Sequence, residues 1–232
     1  MGLLVPTEDK LMEAEDIESK AASSHEDWEP TWYTGAFAGF IQCNNPDCRQ
    51  SVAVLGTVSN DDRDDDEGGR EIFSVYAPKI FIPPLHLFNI VSTWPIEIRN
   101  ALIAAFQQVF IDPGSAVNHL RTVIEELLTS LGYARYEIKK GAPRKFISLH
   151  SRIDRFAKDQ PQHKDTLLAA KWIGNAGSHP GSITKDDAFD AFDLIEFALN
   201  EILGKQSKSI ATLAKKVNKS RKPLSTKKNK SK

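Results

Sequence analysis

The chain has only two cysteines and two methionines among its 232 residues. Two cysteines cannot staple a fold of this length, so an apolar core must hold it and a reducing, cytoplasmic address is expected. No run of about 18 apolar residues occurs, so neither a spanning helix nor a membrane partner is expected. The opening Met1-Gly2-Leu3-Leu4-Val5-Pro6 lacks a basic stretch and leads into acidic sequence, which argues against a secretory leader. Pro6 also stands where a myristoylation signal needs Ser or Thr. There is no Gly-x-x-x-x-Gly-Lys loop and no His/Asp ligand cluster. Nucleotide hydrolysis and metal-dependent chemistry are therefore not expected, and no cofactor is assigned.

What the chain does have is charge, unevenly placed. The net charge is −1, from 30 basic and 31 acidic residues. Residues 205–232 carry eleven Lys or Arg and no acid, which leaves −12 on residues 1–204. A tail containing Lys215, Lys216, Arg221 and Lys222 among Ser, Thr and Asn cannot bury enough apolar surface to fold alone. It reads as an electrostatic arm for nucleic acid, or as a solvated tail lying on the chain's own acidic body.

The composition suits an α+β chain: a small N-terminal antiparallel β unit, then an antiparallel bundle of about five helices. Residues 1–30 are acidic and weakly apolar, and are expected to be mostly disordered or to hold one short helix. Residues 31–94 carry strand signals over Tyr33–Gln42, Ser51–Ser59 and Glu71–Ile80. Between the last two lies Asp61-Asp62-Arg63-Asp64-Asp65-Asp66-Glu67, expected as a solvated hairpin loop because it lacks the spacing of a calcium loop. Cys43 and Cys48 flank a turn like half of a zinc ribbon, but a structural site needs four ligands, no second Cys pair exists, and His86 adds at most one. A zinc at Cys43 and Cys48, as in a degenerate knuckle, is the alternative to a metal-free hairpin. Ile82-Pro83-Pro84-Leu85-His86 reads as an extended linker.

From Trp94 the apolar period becomes helical. The spacing predicts helices from Pro95 to about Phe110, from Val117 to a stop at Gly132, over Ile147–Lys158, over His163–Asn175, and from Thr184 to a stop at Gly204. Thr184 and Asp187 form a capping-box start for the last. Short connections imply antiparallel packing, so residues 95–204 read as one helical domain and 205–232 as its basic, disordered tail.

The order Ala116…His119-Leu120-Arg121-Thr122-Val123-Ile124-Glu125, Leu149…Ile153 and Gly174-Asn175-Ala176-Gly177-Ser178-His179-Pro180 resembles a bacterial family. It is similar to the domain of unknown function numbered 4145, within the wider HEPN superfamily of helical, RNA-associated domains. The likeness covers about residues 95–204. It implies a domain found alone or fused to restriction and phage-defence proteins, commonly dimeric, and in its catalytic members a metal-independent endoribonuclease. In that chemistry a His moves a proton while an Arg neutralises charge on the scissile phosphate. The resemblance makes His179 the proton-transfer residue and Asn175 the polar residue of the motif. Gly174 stands where the catalytic Arg belongs. Lys171, one turn before Asn175, and Arg121 on another helix are the candidate substitutes, although Lys is a point charge rather than a fork. The alternative is that Asn175 and His179 bond backbone groups at a buried helix end.

Independently, residues 135–158 hold Arg135, Lys139, Lys140, Arg144, Lys145, Arg152, Arg155 and Lys158 against Glu137 and Asp154, a local +6. With Tyr133 and Tyr136 close by, this is a basic and aromatic mixture of the kind that binds single-stranded nucleic acid. The sequence thus supports a HEPN-like module that contacts RNA or DNA in a restriction or phage-defence setting. Its alternatives are a non-catalytic protein–protein interaction or dimerisation module, docking another defence protein, and an endoribonuclease using His179. A homodimer through the fourth or fifth helix is expected. Deleting residues 205–232 should leave the bundle folded, weaken RNA or DNA binding and flatten its salt dependence, because each lost phosphate contact releases one fewer counterion. A salt titration of affinity measures this, and an unchanged slope would assign the tail to the solvated alternative.

Overall fold

The computed structural model describes residues 4–6, 11–64, 68–138, 140, 143–179, 181–204 and 219. Its N-terminal half is one antiparallel sheet. Strand β3 (Thr34–Cys43) pairs with β4 (Ser51–Asp64), from Thr34 opposite Ser59 to Gln42 opposite Ser51. Strand β5 (Arg70–Ile82) extends the sheet along β4, with an irregularity at Leu55 and Gly56. The free edge of β3 is covered by two short strands in succession, β1 (Leu4–Pro6) on Ile41–Cys43 and β2 (Met12–Glu15) on Gly35–Ala38. Covering an edge in this way removes a row of unpaired backbone groups.

Two expectations are refined here. Of the alternatives for residues 1–30, the short helix is present, as α1 (Ile17–Ala22), whose start is capped by Asp16 accepting from Ser19 N at 2.8 Å, and β2 stands before it. The cause is long-range and polar. Glu13 accepts from the hydroxyls of both Tyr33 and Tyr76, Asp16 accepts from Thr34 Oγ1 at 2.6 Å, and Glu29 pairs with Arg70 at 2.9 Å. The Glu13 carboxylate and burial together push both tyrosine hydroxyls up. Nor is the whole acidic cluster a loop. Asp61–Asp64 continue β4, where Arg63 pairs with Glu71 at 2.8 Å and Arg70 with Asp62 at 2.7 Å, so cross-strand arginines offset the like charges.

The second half is helical: α2 (Ile96–Gln108), α3 (Pro113–Ser130), α4 (Leu149–Phe156), α5 (Lys164–Ala176) and α6 (Lys185–Leu203). The five helices fall where the periodicity places them. Gly132, at φ 90°, ends α3 in the left-handed conformation that glycine adopts without strain. Thr184 and Asp187 make the reciprocal capping box that starts α6. Between α3 and α4 lies a small hairpin, β6 (Tyr136–Glu137) with β7 (Lys145–Phe146).

The bundle core is a stack of aromatic rings. Phe106 lies over Phe192 at 5.3 Å and meets the edge of Phe88 at 5.2 Å. Phe88 and Trp94, just past the Ile82–His86 linker, are both buried and supply the first residues of the bundle core. His86 stacks on Phe106 at 5.3 Å, away from any role at the Cys43–Cys48 turn. Sheet and bundle meet where Phe81 of β5 packs against Phe110, centroids 5.0 Å apart. Cys43 is buried at the end of β3 and Cys48 is exposed in the turn beyond it.

One charged residue belongs to this core. Arg152 is 2% exposed. Its guanidinium donates to the carbonyls of Glu125 (2.9 Å) and Tyr133 (2.8 Å) and to Thr129 Oγ1 (2.8 Å), tying α4 to the C-terminal turn of α3. Removing it strands those acceptors. Arg152→Ala should therefore lower the unfolding free energy by about 3 kcal/mol in urea denaturation. Arg155→Ala, on the exposed face of the same helix, should cost less than about 0.5 kcal/mol.

Candidate nucleic-acid interface

Helices α3 and α5 run antiparallel and touch through glycine. A side-chain carbon at Gly174 would sit 3.0 Å from both Arg121 Cβ and the Val117 carbonyl. One at Gly177 would sit 2.5 Å from the Gly114 carbonyl. The crossing therefore needs hydrogen at Gly174 and Gly177, spaced three apart on one face of α5. Gly174 is a packing residue, which is why no arginine stands there.

This close approach brings two cations together on the outer edge of the seam. Lys171 is 7% exposed, and among the described residues no carboxylate pairs with its ammonium. Burial, and then the charge of Arg121, push its pKa below the ordinary lysine value. Arg121 keeps a 3.4 Å contact with Glu125, but its Nε is buried without an acceptor. Lys171 Nζ lies 3.4 Å from the centroid of the Trp172 ring, which is itself 57% exposed. The His150 ring of α4 lies 6.2 Å away on the same indole. Trp172 was not singled out from sequence. The available signal was an aromatic residue directly after a lysine on the polar side of a helix.

His179 lies elsewhere. Helix α5 ends at Ala176, and His179 is exposed in a cleft of about 410 Å³ at the start of α3. Asp112 shares the cleft, and its carboxyl is held below the usual range by the Ser115 hydroxyl and backbone N–H. No Lys or Arg is among the described residues lining it. The alternative in which Asn175 and His179 close a buried helix end is also corrected. The Ser182 hydroxyl stands at that end, its single O–H shared between the carbonyls of Ala176 (2.5 Å) and His179 (2.7 Å). Asn175 is half-buried on α5, one turn beyond Lys171, and Ser178 bridges to Asn118 of α3 at 3.2 Å. The structure thus brings together Lys171 and Arg121 and sets His179 apart.

The basic segment 135–158 divides in two. Arg152 is corrected from a nucleic-acid contact to an interior strut, because every oxygen it reaches is inside the protein. Arg135 is engaged with Glu126 at 2.6 Å, and Tyr133 turns inward onto Phe156, its hydroxyl donating to Asp159 at 2.5 Å. Lys140, Arg144, Lys145 and Arg155 are exposed. On the β6–β7 hairpin the rings of Tyr136 and Phe146 lie 5.8 Å apart and are 47% and 60% exposed. Lys139, Lys215, Lys216, Arg221 and Lys222 lie outside the described residues.

A sheet joined to a five-helix bundle that carries a cationic, aromatic edge defines a two-part chain, and each part has a counterpart. Residues 104–222 match the family Domain of unknown function (DUF4145), and the chain belongs to it. Residues 1–86 match a second family, Domain of unknown function (DUF8608), so the sheet is a unit shared beyond this chain. No curated protein and no solved structure matches. Among the described residues no helix is long and apolar enough to cross a membrane.

Two substitutions test the seam. Gly174→Ala should destabilise the bundle by about 1–3 kcal/mol through overpacking, and Gly174→Arg by more, as read by thermal unfolding. Lys171→Met should do the opposite, raising stability at pH 7 by about 1 kcal/mol, since it removes a charge that partial burial and the neighbouring Arg121 disfavour. The sign follows from proton linkage. Between its lowered pKa and 10.5, the unfolded chain binds a proton at Lys171 that the folded chain does not. Stability of the natural chain therefore rises with pH through that window, and the Met variant lacks the rise.

Proposed function

We propose that the chain is a HEPN-like module that binds single-stranded nucleic acid, RNA above all, without cleaving it. The observation that carries the reading is Lys171: a largely buried lysine with no carboxylate partner among the described residues, beside Arg121 and against an exposed indole. A cation left uncompensated inside a fold costs stability, and an arriving phosphate offsets that cost. Arg121 and Lys171 would take the phosphodiester while a base stacks on Trp172, the pairing of backbone charge and aromatic face on which sequence-tolerant binding depends. The exposed Tyr136 and Phe146 rings, with Lys140, Arg144, Lys145 and Arg155 around them, supply a second stacking platform. Phe146 lies four residues before His150, whose ring neighbours Trp172. The basic tail adds non-specific attraction.

Binding without cleavage is supported by the cleft of His179. A proton-transfer residue needs a cation nearby to neutralise the developing phosphorane, and the described lining offers the Asp112 carboxylate instead. The defence setting rests on the resemblance alone. The test is fluorescence anisotropy with single-stranded RNA. Trp172→Ala should weaken binding about tenfold with little change in salt slope, since stacking releases no counterion. Lys171→Met should weaken it and reduce the slope by about one. Unchanged affinity in both would remove the seam from the interface, and RNA cleavage lost on His179→Ala in a folded chain would restore the endoribonuclease alternative.

A further inference from the structure

An antiparallel sheet with one face on the core normally turns polar residues outward on the other. Here the register puts apolar residues on both faces. Phe37, Val54 and Val58 point inward and are buried. On the opposite face the cross-strand row Ala38–Leu55–Ile80 continues the apolar surface, and Met12 of β2 joins it opposite Ala38. Met12, Leu55, Val75, Ile80 and Ile82 are 39–76% exposed. Across the rows from Gln42–Ser51 to Thr34–Ser59, this face of β3 and β4 holds no ionisable side chain. Charge returns at Asp61, opposite Phe73, and one row further on Arg63 and Glu71 pair at 2.8 Å.

We infer that this face is where two copies of the chain meet, sheet on sheet, across a two-fold axis. Three arguments choose a second copy as the occupant. The first is size. The β3–β4 ladder is nine pairs long. At about 3.3 Å per residue and about 4.8 Å per strand, the four strands in these rows project on the order of 450 Å² before side-chain relief is added. That is more than half of the roughly 800 Å² per partner of a stable interface. The second is charge. The β3 and β4 positions on this face carry no ionisable side chain, so two copies meeting on it bury no unpaired charge there. The third is symmetry: a largely apolar face whose β3 and β4 positions are uncharged, with an ion pair at its rim, can be complementary to itself, as an isologous contact requires. Stacked sheets then enclose the apolar layer about 10 Å thick that sandwich folds bury.

The inference is independent of the nucleic-acid reading and relocates the dimer contact from the α5–α6 helices to the sheet. Sedimentation velocity of the full chain over a wide concentration range tests it. The natural chain should sediment as a dimer. Leu55→Lys combined with Ile80→Lys should raise the dissociation constant at least about tenfold, since two ammonium groups would be buried without partners. Circular dichroism should be unchanged. Should that pair fail to fold, Leu55→Gln alone, a milder change at a half-exposed position, should loosen the dimer in the same assay. Phe197→Lys, on the exposed side of α6, should leave the dimer intact. A natural chain that is monomeric at every concentration overturns the inference. So does a dimer that Phe197→Lys dissolves and the sheet variants do not.

Discussion

The closeness of α3 and α5 is the constraint on which the site depends. Helices normally keep about 8–10 Å between axes, a distance set by the side chains at the contact. Hydrogen at Gly174 and Gly177 lets these two come nearer, with Val117 and Arg121 as their neighbours on α3. Once the backbones touch, the residues flanking the contact have no freedom to separate. Arg121 and Lys171 are then held side by side although their charges repel, and Lys171 is shut from water on its inner side. The stability of the core, supplied by the Phe106–Phe192 stack and the Arg152 strut, offsets the unfavourable placement of the lysine.

Arg152 and Lys171 make an instructive pair, because both are buried cations and they mean different things. Arg152 reaches four acceptor contacts on two neighbouring segments, so its charge is solvated by protein oxygen. A buried charge held by several protein acceptors is a structural element. Lys171 has an indole face and a neighbouring cation, which leaves its charge unbalanced. Groups perturbed by burial without a compensating partner gather at functional sites. The difference lies in what surrounds each charge, and residue type alone does not carry it.

Much of the fold was legible because it follows from local periodicity. The apolar stripes of α2, α3 and α6, the Thr184–Asp187 cap and the stop at Gly132 are contained in short windows of sequence. Order in residues 11–30 was not, because it comes from Glu13, Asp16 and Glu29 meeting residues far along the chain. The same holds for Phe88 and Trp94, whose proline-rich surroundings read as a linker while their rings fill the bundle core. At the site, the sequence pointed to Lys171 and Arg121 as candidate cations, and the crossing brings them together. It could not separate Arg152 from Arg155, three residues apart on one helix, since which is buried depends on where the end of α3 lies. Nor did periodicity flag Trp172 or Phe146, since an exposed aromatic and a core aromatic look alike until their partners are known.

The central claim is that Lys171 is a cation awaiting an anion, and its ammonium can be observed directly. Nitrogen-15 NMR of the lysine side chains, titrated with pH in the free protein and with a short single-stranded RNA bound, reads the proton affinity of that one group. The account predicts a Lys171 pKa below the ordinary lysine value in the free chain, rising when RNA binds, because a phosphate stabilises the charged form. A Lys171 pKa that stays at its free value in the saturated complex would contradict it.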